Sequence, residues 1–271
     1  MDVFDVDGYL RRIGCAGETG VDLATLRRLQ RRHLQAIPYN SAAYALVDGV
    51  HVVDLDEDAA FDRSIAAGQG GACYHLNRLF HRLLKELGYD VTLLAGSTAE
   101  GRDTFGTEVE HMFNRVRLDG ADWLVDVGYP GPTYLEPLRV CDTVQSQYGS
   151  QFRLVERDSG LVLQRRGAAT RWGGVYTFTL TPRRWSDWKE LEDRFRHMVA
   201  DPGRSDTQEI LCGRAVGTGQ VMLKQRRYLT VRDGREQVRT ITDDDEHRAL
   251  LSRILSGDLD RAPADDTRGT S

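Results

Sequence analysis

Lysine is nearly absent from this chain. It occurs only as Lys85, Lys189 and Lys224, so arginine carries almost all the positive charge, and the formal charge of −5 leaves no basic excess of the kind a nucleic-acid-binding domain shows. Cysteine is scarce too. Cys15, Cys73, Cys141 and Cys212 stand far apart with no Cys-x-x-Cys pair, which argues against a zinc site and a disulfide framework and fits a reducing compartment. No apolar run is long enough to span a membrane, and the N-terminus, Met1-Asp-Val-Phe-Asp-Val-Asp, lacks the apolar core of a signal peptide. These absences predict a cytoplasmic protein with no nucleic-acid or membrane partner. Internal repeats are also lacking. What is present is globular in character: 40% hydrophobic and 28% charged residues in a chain of 271, enough for one large core or a few layers.

The periodicity of apolar residues changes once along the chain. Up to residue 90 it is helical. Residues 5–17 carry Tyr9, Leu10 and Ile13 on one face with Gly14 as the stop, and Asp22 is an N-cap for Leu23 to Leu34, ended by Pro38. Asp54 or Asp56 caps a third helix through Phe61 and Ile65 to Gly68, and a fourth begins near Cys73 and closes at Gly88. From residue 91 to 182 short strands of period two follow one another: 91–95, 110–118, a hairpin turn at Asp119-Gly120, 123–128, 152–155, 161–165 and 175–181. Serial hairpins of this kind predict an antiparallel sheet or barrel. Residues 183–202 are helical again, strands are expected at 221–223, 228–231 and 237–241, and a last helix spans 244–256. The expected divisions are therefore 1–90, 91–182 and 183–256, with a polar and mobile tail at 257–271.

The chemistry centres on Gln69-Gly-Gly-Ala-Cys73-Tyr-His-Leu-Asn77. Leu76, Leu79, Phe80, Leu83, Leu84 and Leu87 follow at helical spacing, which puts Cys73 at a helix N-terminus, where free N–H groups and the helix dipole favour an anion. A thiol with an ordinary pKa of about 8.5 is converted to thiolate more easily there. The same spacing equally suits a buried, inert cysteine after a Gly-Gly turn.

A thiol nucleophile needs a base and the base needs an orienting group. The first long hairpin offers both. In the registers that Asp119-Gly120 permits, His111 and Asp126 project from the same face but are offset by two or more residues, so contact requires a bend or bulge. Asp126 lies between apolar residues in Leu-Val-Asp-Val-Gly, where a buried carboxylate needs a partner. His75 is a competing base two residues from Cys73, although the first turn of a helix points it away. His33 and His81 are expected on solvated helix faces, and His51, His197 and His247 have no evident companion.

The sequence resembles the arylamine N-acetyltransferase family over nearly its whole length, through Tyr9-Leu-Arg-Arg-Ile-Gly, Ala36-Ile-Pro-Tyr, Gly70-Gly-Ala-Cys73-Tyr-His-Leu-Asn77, His111, Leu124-Val-Asp126-Val-Gly128 and Tyr176-Thr-Phe-Thr-Leu. The resemblance implies an α+β fold: an N-terminal helical bundle, a central antiparallel β-barrel and a C-terminal α/β lid, with a cysteine-protease-like triad of Cys73, His111 and Asp126 between the first two. It also implies ping-pong acyl transfer through an acyl-Cys73, with no resident cofactor and an acyl-CoA or acyl-carrier-protein thioester as co-substrate. Partners are then a small-molecule amine, the thioester and, for one of the two donors, an acyl carrier protein.

Departures from the family pattern surround the triad without touching it. Gln69 stands for an arginine, His75 for Glu or Gln, Tyr39-Asn40-Ser41 for Phe-Glu-Asn, and Tyr129-Pro130-Gly131 for Phe-Gly; Glu110 precedes the histidine where a small hydroxyl residue is common. Tyr39, Tyr74, Gly128, Tyr129 and Pro130 are accordingly the expected substrate-contacting residues. Changed walls around a preserved triad favour an amide synthase of the ansamycin type, which joins a long acyl chain to an aromatic or enone-type amine. An acetyl-CoA-dependent arylamine N-acetyltransferase is the alternative. A thioester hydrolase and a non-catalytic binding paralogue are further ones.

Overall fold

A computed structural model describes residues 4–42, 51–99, 104–157, 160–199 and 211–259. The amphipathic segments at the start of the chain form helices that pack on one another. These are α1 (Val6–Arg12), α2 (Leu23–Ala36), α3 (Glu57–Phe61) and α4 (Cys73–Glu86), with a two-residue strand β1 (Tyr39–Asn40) after α2. Asp22 accepts the Thr25 N–H at 2.8 Å and Asp56 caps α3, both through the expected carboxylate. Asp5 caps α1, which ends at Arg12, earlier than the apolar spacing suggests. Leu76, Leu79, Phe80, Leu83 and Leu84 of α4 are fully buried. Each contributes about 1.5–3 kcal/mol of burial, which makes α4 the post around which the first core is built.

Two histidines depart from expectation. His33 is fully buried in that core, bonded through Nδ1 to the Tyr9 hydroxyl at 2.9 Å, and burial holds its pKa down to about 3. His81 is bonded through Nδ1 to Asn114 Oδ1 at 3.0 Å and packs edge-on to Trp185. Neither relies on solvent.

The next eight strands are β2 (Asp90–Thr98), β3 (His111–Leu118), β4 (Ala121–Val125), β5 (Leu138–Arg139), β6 (Gln145–Gln147), β7 (Ser150–Arg157), β8 (Gly160–Arg166) and β9 (Gly173–Phe178). They form one antiparallel sheet in the order β5-β4-β3-β2-β9-β8-β7-β6. The sheet curls into a nearly closed barrel around Leu94, Phe113, Leu124, Tyr134, Phe152, Leu163 and Tyr176. Its two edges are joined by glutamine side chains. Gln145 accepts from the Arg139 N–H at 2.9 Å and donates to the Arg139 carbonyl at 2.8 Å; Gln147 accepts from Leu135 and Glu136 and donates back to the Glu136 carbonyl. A carboxamide carries the same donor and acceptor as a peptide, so these two residues pair an edge that would otherwise stay open.

After a 3₁₀ turn at Trp185–Trp188 come α5 (Lys189–Val199), β10 (Leu211–Val216), β11 (Gly219–Lys224), β12 (Arg227–Arg232), β13 (Arg235–Thr240) and α6 (Asp244–Ser256). The second sheet has the order β1-β10-β11-β12-β13, so Tyr39 and Asn40, from the helical part of the chain, form its first strand. Leu250 and Ile254 of α6 cover one face, over Cys212, Val221 and Leu223. Gly257 ends α6 in the left-handed conformation, with φ of 88°. Residues 260–271 of the expected tail lie outside the described residues. No described helix is long and apolar enough to cross a membrane.

Candidate active site

The loop that delivers Cys73 is gripped from two sides. Asp62–Ala66 forms a single π-helical turn, and from within it the Arg63 and Ser64 carbonyls accept the N–H groups of Gln69 and Gly70, each at 3.2 Å. From the other side Asn40 donates its backbone N–H to the Gly71 carbonyl and its side-chain amide to the Gln69 carbonyl, both at 3.0 Å. Gly70 has φ of +72°, and a Cβ there would lie 1.9 Å from the Pro38 carbonyl oxygen. Only glycine fits.

Cys73 is the first residue of α4, 9% exposed, with a backbone N–H that has no intrahelical acceptor. His75, two residues on, is turned back on the helix start, where Nδ1 accepts the Ala72 N–H at 3.2 Å. Burial, and then the positive charges of His51, Arg63 and Arg78, hold its pKa down to about 3. It caps the helix start as a neutral imidazole, at the position that Glu or Gln takes in a capping box.

His111 is the first residue of β3, and Asp126 is the first residue beyond β4. Their side chains meet, His111 Nε2 to Asp126 Oδ2, at 2.7 Å, and both are buried. Burial by itself disfavours the imidazolium, but the charge and hydrogen bond of Asp126, and then the Cys73 thiol, outweigh it and raise the His111 pKa. The Cys73 thiol interacts with this same imidazole. Thiol, imidazole and carboxylate therefore form one chain of contacts.

The bend that the hairpin register demands is supplied by Asn77. The ladder runs from Leu118 opposite Ala121 to Asn114 opposite Val125, and continued it would set Met112 against Val127. Instead the Asn77 carboxamide stands between them, donating to the Met112 carbonyl at 2.8 Å and accepting the Val127 N–H at 2.9 Å. The same Nδ2 donates to Asp126 Oδ1 at 2.9 Å, and Gly128 N–H donates to that oxygen at 2.9 Å. One side chain thus splays β4 from β3 and holds one oxygen of Asp126, leaving the other for His111. Sequence reasoning missed this residue. Its signal was position, four residues after Cys73 on the same helix face.

Gly128 packs directly on the thiol-bearing residue: a Cβ there would lie 2.7 Å from Cys73 Cα. The Tyr129 ring stands edge-on to His111, centroids 5.4 Å apart, and its hydroxyl donates to the Val175 carbonyl at 3.1 Å. Tyr129 and Pro130 line a cleft of about 330 Å³ between the barrel and the second sheet. Tyr39 borders the Cys73 cluster, whereas Tyr74 is buried toward His75 and Phe195, away from that cleft. Glu110 turns away from His111, its carboxylate accepting from the Thr98 N–H and hydroxyl at 3.1 and 3.0 Å.

A family model described as N-acetyltransferase matches residues 22–263. The proansamycin X synthase of Amycolatopsis mediterranei (strain S699) is 76% identical over 258 residues, covering 95% of this chain and 99% of that protein. The arylamine N-acetyltransferase of Mycolicibacterium smegmatis is 36% identical over 66% of each chain. The structure of the Mycobacterium marinum arylamine N-acetyltransferase in complex with CoA superposes with a TM-score of 0.79 at 28% identity, over 96% of this chain and 95% of that one. The helical start, the nearly closed barrel and the matches over almost the full length agree: the chain belongs to the arylamine N-acetyltransferase family, beside the ansamycin-type synthases, and is an acyltransferase that forms amides.

Proposed function

We propose that this protein is an amide synthase of secondary metabolism, in which Cys73, His111 and Asp126 carry a ping-pong transfer of a polyketide-type acyl chain from a thioester to an amine. The observation that carries the mechanism is the 2.7 Å contact of His111 Nε2 with buried Asp126, on an imidazole that also interacts with the Cys73 thiol. The 76% identity to a proansamycin X synthase supports the substrate class.

His111, held in place by Asp126, takes up the Cys73 proton before attack and carries it as the imidazolium. The Cys73 thiolate attacks the thioester carbonyl, a new C–S bond forms, and the tetrahedral oxyanion is met by the unpaired Cys73 N–H at the helix start. Collapse breaks the donor C–S bond, and the leaving thiolate takes the proton of His111. The amine then attacks the acyl-Cys73 carbonyl and gives a proton to His111, and the Cys73 thiolate leaves as the amide is released. Tyr129 and Pro130 border the reacting groups from the side of the cleft, Gly128 packs on Cys73, Tyr39 borders the cluster that holds Cys73, and Tyr74 acts behind Cys73 as packing. The donor is a CoA or carrier-protein thioester, and the setting is the cytoplasm.

Intact-mass measurement after mixing the protein, without amine, with acetyl-CoA and with longer acyl thioesters tests this reading. A stable adduct that forms with longer chains in preference to acetyl, and is lost in Cys73→Ala, is expected. Preference for acetyl would favour an arylamine N-acetyltransferase, and thiol release without an adduct would favour hydrolysis. Neither adduct nor thiol release from any donor would reject catalysis.

A further inference from the structure

Residues 51–56, ahead of α3, have no regular secondary structure, yet Val52 among them is fully buried. Irregular chain can be buried only if its backbone polar groups find partners. Here two buried charged side chains, from different helices, supply them. Glu192 of α5 accepts the Val52 and Val53 N–H groups on one carboxylate oxygen, at 2.7 and 2.5 Å. Arg78 of α4 donates to the Val52 carbonyl at 2.7 Å, with the Val53 carbonyl 3.4 Å away. Each grip is itself secured. The other oxygen of Glu192 is bonded to Arg196, and Arg78 donates to Glu57 at 2.9 Å with its guanidinium 4.3 Å from the centre of the Trp185 ring. The strap is therefore held by a carboxylate along its N–H groups and by a guanidinium along its carbonyls, and charge-assisted bonds of this kind are the strong ones.

The strap lies along the first two turns of α4, which begin at Cys73. The positive charge of His51 is felt by His75, and Arg78 on the next turn takes the Val52 carbonyl. Val52 belongs to one apolar cluster with Ala72, Cys73, Tyr74, Trp188 and Leu191, and half-buried Val53 and Phe195 pack against it. None of these residues lines the cleft at Tyr129. The strap and α5 thus cover the helix start that carries the thiol on a side separate from the cleft.

An acyl-Cys73 can pass its acyl group to an amine or to water. In hydrolysis a water oxygen attacks the acyl carbonyl and gives a proton to His111; the C–S bond then breaks, the carboxylic acid leaves, and the Cys73 thiolate recovers the proton. The same imidazole serves either acceptor, so the triad does not choose between them. The choice falls to whatever keeps water from the acyl group. We propose that the Val52–Val53 strap excludes water from acyl-Cys73, and that Glu192, acting through the strap, is a positioning residue that sets amine over water as the acceptor. The inference rests on the acyl-enzyme reading and adds to it the reason the acyl group reaches an amine. Without the carboxylate, two buried N–H groups lose their acceptor, and the strap regains partners only by moving out to solvent.

The test is the fate of the acyl-enzyme in Glu192→Gln, Glu192→Ala and Val53→Ala. The half-life of acyl-Cys73 without amine is read by intact mass, and the ratio of amide to carboxylic acid with amine by product analysis. In Glu192→Ala the half-life is expected to shorten about tenfold and the ratio to fall with it. Glu192→Gln keeps the shape and an uncharged acceptor oxygen, and is expected to lie between wild type and Glu192→Ala. Val53→Ala thins the strap while leaving both grips, which hold backbone atoms, and a smaller change in the same direction is expected. An unchanged half-life in Glu192→Gln and Val53→Ala overturns the proposal: with a lowered melting temperature it makes Glu192 structural, and with slower amide formation it places Glu192 in amine binding. In either case acyl-enzyme formation by the wild type leaves the catalytic reading standing. A wild type that forms no acyl-enzyme rejects that reading, and this proposal with it.

Discussion

Two regions that meet at Tyr129 are built on opposite plans. Around Asp126, polar atoms are saturated: its two oxygens take three donors, Asn77 spends its amide on three partners, and the backbone of Gly128 touches Cys73 without room for a methyl group. Across the tyrosine, the cleft is lined by glycines, apolar side chains and two cations without acidic partners among the described residues. A reacting centre must hold atoms within fractions of an ångström, and every free rotor there is a loss. A recognition surface instead leaves its pairing capacity for the ligand. The departures from the family pattern at Tyr129-Pro130-Gly131 fall on the boundary between the two.

The contrast can be broken most severely at the thiol. Cys73→Ala is expected to remove acyl-enzyme formation with every donor, as read by intact mass, and residual turnover in that variant would put the nucleophile elsewhere. Asp126→Asn comes next. It preserves shape but deprives His111 of its charge partner, and about a 10³- to 10⁴-fold loss of kcat is expected. The same variant has a signature in stability. Because the folded His111 pKa is raised above its ordinary value, the pair stabilises the fold fully below about pH 6.5, and this contribution is lost as pH rises through the raised folded value. The melting-temperature gap between wild type and Asp126→Asn should therefore be widest in mild acid and shrink toward alkaline pH. A gap that is flat or widens with pH would contradict a charged His111.

Gly128→Ala places a methyl carbon 2.7 Å from Cys73 Cα, a backbone contact that cannot yield by side-chain rotation. About a 100-fold fall in kcat is expected from displacement of the nucleophile, and an unaltered rate would show that the loop moves freely. Asn77→Ala has a smaller and mixed effect. It leaves the Met112 carbonyl and Val127 N–H without their partner, at about 1–3 kcal/mol of stability each, and leaves one oxygen of Asp126 with the Gly128 N–H as its remaining donor. A roughly tenfold or greater drop in kcat, with an altered pH–rate profile, is expected. Loss of stability with an unchanged profile would reduce Asn77 to a structural role. Neither change should alter donor preference.

Much of this was legible in the chain. The strand parity of His111 and Asp126, the caps at Asp22 and Asp56, and the placement of Cys73 at a helix start followed from spacing, because those are local properties of helices and strands. Other features had no local signal. The strand at Tyr39-Asn40 is two residues long and too short to show a period, yet it ties the Cys73 loop to the second sheet. Gln145 and Gln147 look like surface glutamines until the barrel brings Arg139 and Glu136 opposite them. His33, preceded by two arginines in sequence, is buried because the helical face it occupies meets Tyr9 and Phe80.

The order of helices and hairpins and, through the motifs, the three residues of the candidate triad are local properties of the chain, since period, caps and turn chemistry are written within a few residues. How an offset of two along a hairpin becomes a 2.7 Å contact, and where the cleft runs, are set by packing between distant segments. The first depends on a carboxamide from α4 entering between two strands. The second depends on two sheets, distant in sequence, presenting an apolar face and a pair of cations to the same space.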